Sequence, residues 1–324
     1  MKIVARCAAG VALAGPWAWA AWVYEGQWGD YGRGPGGFDW PNGLAVAANG
    51  NVYVADSGNY RVQYFDHSGR YAGQWGGRGS GDGEFNVPRG VAVAPTTGYV
   101  YVVDDNNARV QYFTAGGSFL GKWGSEGTGD GEFNWPEGVA VAPSSGDVYV
   151  ADFANDRVQY FTAAGSFKGK WGGRGGGNGQ FVYTTGIVVT SESRVYVGDN
   201  NNCRVQYFTA TGSYLGQWGS PGTGDGQFHG VLGVVIRPGG NNVYVVDIFN
   251  DRVQYFTATG SFLGKIGRRG WGNGEFVEPS YCGFSPDGRR LYVTDTSNYR
   301  VQYFRWSDPA ISPTSLGKVK ALFR

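Results

Sequence analysis

Histidine, cysteine and methionine are scarce in this chain of 324 residues, at two, three and one. With only His67 and His229 available, a metal centre built on several imidazoles is excluded. Cys7 stands near the N-terminus, and Cys203 and Cys282 fall at different places in different units of the repeat described below. Two isolated thiols make no disulfide framework, and both are expected to be free and buried. Charge is sparse as well. Charged residues are 16% of the chain, and 27 basic against 26 acidic residues leave a net +1, which offers no general footprint for nucleic acid or anionic lipid. No segment carries a 3.6-residue apolar period free of glycine, which excludes a solenoid of helix pairs. What abounds is glycine, at 58 residues, and aromatics, at 12 Trp, 21 Tyr and 19 Phe. So much glycine opposes long helices, and so many aromatics oppose disorder. Together they predict many short strands joined by many turns.

The first 20 residues read differently from the rest. Lys2 and Arg6 precede an uncharged stretch from Cys7 to Tyr24, with an apolar core at 7–14, a Gly15–Pro16 break and a small-x-small site at Ala18-Trp19-Ala20. That order predicts a secretory signal peptide over 1–20, and hence a secreted or periplasmic protein. An uncleaved anchor is the competing reading, since 18 uncharged residues reach the lower limit of a span. After processing, no membrane span is expected.

The organising feature is an internal repeat. Arg-Val-Gln-Tyr-Phe begins at Arg61, Arg109, Arg157, Arg204, Arg252 and Arg300, at spacings of 47 or 48 residues. Five residues before each Arg stands an Asp (Asp56, Asp104, Asp152, Asp199, Asp247, Asp295), and two before it an Asn. Each unit holds four short β-type runs; in the third these are 138–142, 147–151, 157–161 and 166–171. Six such units predict an all-β, six-bladed β-propeller of four-stranded antiparallel blades spanning 21–305. The last unit lacks a fourth-strand pattern, and 23–29 supplies one, so the N-terminal strand is expected to close the last blade. Residues 306–324 are left as a short basic tail.

The unit G-x-F-N-x-P-x-G-V-A-V-A…V-Y-V-A-D-x-x-N-x-R-V-Q-Y-F resembles the NHL repeat, and the copies cover about residues 23–304. The resemblance implies a six-bladed propeller used as an interaction platform, as in extracellular sensor domains of bacterial kinases and RNA- or protein-binding domains of animal ubiquitin ligases. It also admits two alternatives to a binding protein. One is a lactonase- or lyase-like enzyme. Amidating lyases resemble this repeat but hold zinc with several histidines, and here His67 and His229 fall in loops on opposite faces. The other is an RNA-binding propeller.

The repeated Asp, Asn and Arg are read as structural, since six identical copies do not describe one asymmetric site. The same holds for Trp28, Trp75, Trp123, Trp171 and Trp218, expected to pack between blades. The Gly-rich loops lack the ending of a phosphate loop. Asp82/Glu84 and Asp130/Glu132 supply two carboxylates per loop, short of the roughly six to eight oxygens that calcium takes. Function is sought where the units differ. By antiparallel alternation, the D-x-x-N-x-R loops and the Gly-rich loops share one face. The residues leading into the first strands are Asn42, Arg89, Glu137, Thr185, Leu232 and Ser280; two places earlier stand Trp40, Val87, Trp135, Tyr183, Gly230 and Glu278. From these rings, with Phe153 and Phe249 in the other loops, the candidate ligand-binding residues are Trp40, Asn42, Arg89, Trp135, Glu137, Phe153, Tyr183, Thr185, Phe249 and Glu278. The expected protein is a monomer without catalytic residues, metal or cofactor that binds a protein, peptide or glycan there. The loops of this face sum to a negative formal charge, so nucleic acid is not expected as a partner.

Overall fold

A computed structural model describes residues 21–307; the expected signal peptide and residues 308–324 lie outside the described residues. Twenty-four strands form six four-stranded antiparallel sheets, arranged as the blades of a propeller. Blade 1 runs over 41–76, blade 2 over 88–123, blade 3 over 136–172, blade 4 over 184–218 and blade 5 over 231–266. In blade 3 the strands are Pro136–Val141, Val148–Asp152, Arg157–Phe161 and Phe167–Gly172, within two residues of the sequence expectation.

Blade 6 is built from both ends of the ring. Its first three strands span 279–307, and its outer strand is Ala21–Trp28, paired antiparallel from Ala21 opposite Ser307 to Trp28 opposite Val301. The closing strand is thus N-terminal, as expected, while the third strand runs through Trp306 and Ser307, two residues past the expected edge of the ring.

The core lies between blades. Second strands such as Val52–Asp56 are buried along their whole length, because both faces of each blade meet a neighbour. Two devices recur at the seams. The Tyr of each second strand is buried, and in five blades its hydroxyl donates to a carbonyl in the third-to-fourth turn of the next blade, as Tyr53 to Ala115 at 3.0 Å, Tyr149 to Ala210 at 3.0 Å and Tyr292 to His67 at 2.9 Å. The outer-strand Trp covers a glycine of the same turn, Trp28 on Gly69 and Trp75 on Gly117, where a β-carbon would strike the indole.

The seam between blades 5 and 6 departs from both rules. Blade 6 has no third-to-fourth turn, because the chain ends interrupt it. Blade 5 accordingly carries Ile266 where the five other blades carry Trp, and Tyr244 accepts a hydrogen bond from Trp22 Nε1 at 3.0 Å instead of donating to a turn. Trp22 lies edge-on to Tyr244 and against Trp306, and Arg237 lies over both indoles at 5.3 and 4.4 Å. Cys203 and Cys282 are buried and free.

Candidate ligand-binding site

The repeated polar residues build the face on which the site lies. In blade 3, Arg157 Nε donates to Asp152 Oδ2 at 2.7 Å, and its two Nη atoms reach the carbonyls of Thr128, Gly129 and Glu132 in the Gly-rich loop. Asn155 ties Asp152 to Gly127 O, both at 2.9 Å, while the other carboxylate oxygen of Asp152 accepts the Asn134 amide at 2.8 Å. Gln159 donates to Glu132 O and accepts from Gly131. Every arm of this hub is occupied. A charge buried this way is tolerated only because its partners are all present, so the hub is scaffold. The loop carboxylates are engaged too: Glu84 accepts the Gly81 amide at 2.9 Å, Asp82 pairs with Lys122 at 2.7 Å and Asp130 with Lys170 at 2.6 Å.

On this scaffold, the ring holding Trp40, Val87, Trp135, Tyr183, Gly230 and Glu278 is uniformly left-handed, with φ between 50° and 80°. Only Gly230 adopts that conformation without cost; a residue with a β-carbon pays about 1–2 kcal/mol. Trp135, at φ 50°, is also 58% exposed. The left-handed backbone belongs to the repeat, since Trp40, Val87, Tyr183 and Glu278 share it; burial does not account for the tryptophan, and an exposed indole that lines a cavity motivates a functional reading.

Five of the ten candidates line one cavity of about 470 Å³ at the mouth of the central channel. Arg89 and Glu137 form its floor with Asp105, beside Asn106 and Asn200; Trp135, Phe153 and Phe249, with Leu232 and Ile248, form its walls. Arg89 Nε lies 3.0 Å from Asp105 Oδ2 and 3.7 Å from Glu137 Oε2. Burial pushes the carboxyls of Glu137 and Asp105 above the ordinary carboxylate range, with Arg89 opposing the shift in both. Phe153 stacks on Tyr183 at 4.5 Å and 5°, and Tyr183 is fixed by its amide, which donates to Asp156 Oδ1 of the preceding blade at 2.7 Å.

The other candidates stand apart from the cavity. Thr185 is fully buried and donates to Val231 O at 2.7 Å. Asn42 is buried on blade 1. Trp40 is 51% exposed on the rim, and Glu278 accepts a hydrogen bond from Ser297 at 2.7 Å. Below the mouth the channel is lined by apolar first-strand residues, including Leu44, Val91, Val139, Ile187 and Val234.

Four residues escaped the sequence reading: Asp105, Asn106, Asn200 and Tyr281. The first had a signal. The position after each repeat Asp reads Ser57, Asp105, Phe153, Asn200, Ile248 and Thr296, a second variable ring of which only the apolar members stood out. Tyr281 occupies the place of Gly43, Gly90, Gly138, Gly186 and Gly233 in the other blades. At those glycines a β-carbon would meet the backbone of the next blade. In blade 6 the Thr294 hydroxyl lies within donating reach of Asn42 O and Tyr281 O, at 2.8 and 3.0 Å, and its one proton can go to either across the seam where Tyr281 stands. Tyr281 is buried, and its hydroxyl is pushed well up by burial and by Glu137, against the opposing pull of Arg89.

The ring and its repeats define a class before any relative is consulted: a six-bladed propeller whose blades are locked by an Asp-Asn-Arg hub. The NHL repeat model matches residues 38–65 and 133–161, in two of the six units, so the propeller carries NHL repeats. Among curated proteins, it is 41% identical over 49 residues to the B-box type zinc finger protein ncl-1 of Caenorhabditis elegans and, to the same extent, to Protein brain tumor of Drosophila melanogaster. Each match covers 15% of this chain but only 6% and 5% of those proteins. Among solved structures, a streptogramin B lyase aligns over 89% of this chain and 98% of its own, with a TM-score of 0.59 at 15% identity. A Bacteroides thetaiotaomicron protein of unknown function aligns over 89% and 76%, with a TM-score of 0.67 at 15% identity. At that identity the likeness is one of fold.

These relatives correct one expectation. Nucleic acid was set aside as a partner, yet the matched segments belong to animal NHL-repeat proteins, the branch whose members include RNA-binding domains. The exclusion fails for a physical reason as well. It summed loop residues alone, whereas lysines of the outer strands reach loop aspartates: Lys122 to Asp82 at 2.7 Å, Lys170 to Asp130 at 2.6 Å and Lys265 to Asp225 at 2.7 Å. Arg268 and Arg269 project with side chains 81% and 77% exposed. The face is therefore no bare anionic surface.

Proposed function

We propose that this propeller is a non-enzymatic binding module that receives a segment of a polypeptide partner in the channel-mouth cavity. The carrying observation is Trp135, exposed on the wall of a cavity that is lined by five of the ten candidate residues. Exposed aromatics around a concave, partly polar floor are the usual makings of a recognition site. The non-enzymatic part of the reading rests on the floor, where Arg89 engages both carboxyls that could act as acid or base, Asp105 at 3.0 Å and Glu137 at 3.7 Å. His229 lies against Phe249, whereas His67 lies by Gly50 on the opposite face. We further place the protein outside the cytoplasm, on the charged, apolar and small-residue order of 1–20.

The test is cross-linking of the native protein in its own host, with mass spectrometry of what is captured, for the parent and for Trp135→Ala. A polypeptide captured by the parent and lost from the variant supports the reading. Capture that ignores Trp135, or recovery of nucleic acid in place of protein, overturns it.

A further inference from the structure

The floor of this cavity defines the kind of group it takes, an inference that rests on the polypeptide-binding reading above. Arg89 is one cation set between two carboxylates, so the trio carries a net negative charge in a site where Asp105 and Glu137 are each only 6% exposed. Each carboxylate spends one oxygen on Arg89. The second oxygens, Asp105 Oδ1 and Glu137 Oε1, have no hydrogen-bond partner. Outside the five outer-strand indoles at the blade seams, whose Nε1 atoms also lack a partner, two further buried atoms share that condition, Asn42 Oδ1 on blade 1 and Tyr281 Oη on blade 6, and the Tyr281 hydroxyl is close enough to Glu137 and Arg89 to feel both.

Buried acceptors left without donors are costly and uncommon in folded proteins. The two that belong to the cavity, Asp105 Oδ1 and Glu137 Oε1, can only accept when their carboxylates are ionised. The surroundings therefore lack N–H donors and a positive charge. Above the floor, Trp135 and Phe249 are 58% and 51% exposed, and aromatic faces attract cations and cover methylene stems. The polar and aromatic requirements name one kind of group.

We infer that the cavity admits a basic side chain, lysine or arginine, of the bound polypeptide, with its cationic head directed to Asp105 and Glu137 and its stem against Trp135 and Phe249. Arg89, whose side chain is 35% exposed, is the internal cation that the ligand joins or displaces. It competes for the same carboxylates.

The experiment uses the whole chain and four capped pentapeptides, Gly-Gly-X-Gly-Gly with X as lysine, arginine, norleucine or glutamate, measured by calorimetry or by NMR titration. The lysine or arginine peptide binds at least about tenfold more tightly than the other two, as expected for hydrogen bonds to charged groups. Glu137→Gln and Trp135→Ala each weaken it by about tenfold, with circular dichroism and melting confirming that both variants fold. Arg89→Gln, which removes the competitor, tightens it. Equal binding of norleucine makes the pocket merely apolar and overturns the inference. Preferred binding of glutamate, lost in Arg89→Gln, assigns the pocket to an anion and also overturns it. In both cases, sensitivity to Trp135→Ala leaves the polypeptide-binding reading standing. No binding by either basic peptide at millimolar concentration sinks the inference, while the cross-linking experiment judges that reading separately.

Discussion

Replacing Trp22 by alanine attacks the one place where the ring is closed without a continuous chain. In the other five blades, a turn of the chain joins the third strand to the outer one. At blade 6, the sheet is completed by Ala21–Trp28 alone, and at the seam with blade 5 Trp22 takes over the task that a turn carbonyl performs elsewhere. The substitution removes the Nε1 hydrogen bond to Tyr244, the edge contact with Tyr244, the packing on Phe284 and Trp306, and the face on which Arg237 lies. Truncating a core aromatic costs about 3–5 kcal/mol. Trp22 is half-buried, which argues for the lower end, about 3 kcal/mol. In a domain of this size each kcal/mol moves the midpoint by roughly 2–3 °C, so Tm falls by about 6–9 °C. The assay is a reversible thermal melt followed by circular dichroism, with Leu263→Ala as control, since Leu263 is 45% exposed on the outer strand of blade 5 and its loss changes little. Removing residues 21–28 altogether bares the strand Arg300–Ser307 and produces association visible by light scattering. A Trp22→Ala protein that melts within a degree of the parent would refute the account of how the ring closes.

Three further outcomes follow from buried polar groups. Arg157→Met strands Asp152 inside blade 3 and lowers stability by about 3–5 kcal/mol, read from urea unfolding; a loss under 1 kcal/mol would show that the hub is decorative. The carboxyl of Glu137 is raised in the fold by burial, so the folded chain holds that proton more tightly than the unfolded one; its contribution is present at low pH and lost as pH rises through the raised value. Glu137→Gln is therefore at least as stable as the parent at neutral pH, the gap closing on acidification, and paired melts across pH check this. Tyr281→Phe removes an unpartnered buried hydroxyl and raises stability by about 1 kcal/mol; a fall in Tm would reveal a partner for that hydroxyl in solution.

The architecture was legible because it is written six times. Asp152, Asn155 and Arg157 recur at fixed spacing, so one unit's strands and turns are checked by five others, and the misfit of the last unit pointed to Ala21–Trp28 as its missing strand. The missing sixth outer-strand Trp, replaced by Ile266, was visible too, but its meaning requires knowing that the Trp rests on a turn that blade 6 does not have. The site was legible only in part. Listing the variable positions found Arg89, Trp135 and Glu137, and it proposed Thr185 and Asn42 on equal terms, because a repeat alignment gives a ring position and not the direction of a side chain. The left-handed backbone of Trp135 has no sequence signature of its own, since Val87 and Glu278 share it. Asp105 was hidden beside the structural Asp104. The nucleic-acid expectation failed because the loops were summed without Lys122, Lys170 and Lys265, outer-strand cations that reach them.

The departures from the repeat are unevenly distributed around the ring, and this asymmetry is what gives the cavity an orientation. Blades 2 and 3 contribute Arg89, Asp105 and Glu137, the charged floor; blade 5 contributes Leu232, Ile248 and Phe249, an apolar wall; blade 3 adds Trp135 and Phe153. A propeller with six equal blades would present the same chemistry every sixty degrees or so and bind a ligand in six equivalent ways. Here a bound group meets acceptors on one side and hydrocarbon or aromatic surface on the other, so its polar head and its stem are told apart by position. Tyr281 reinforces the distinction by placing a bulky side chain where the other blades have glycine, on the side of the polar floor. The same hub in every blade keeps these unequal residues at fixed distances, so the uniform part of the sequence holds the unequal part in place, and recognition resides in the few positions where the repeat is broken.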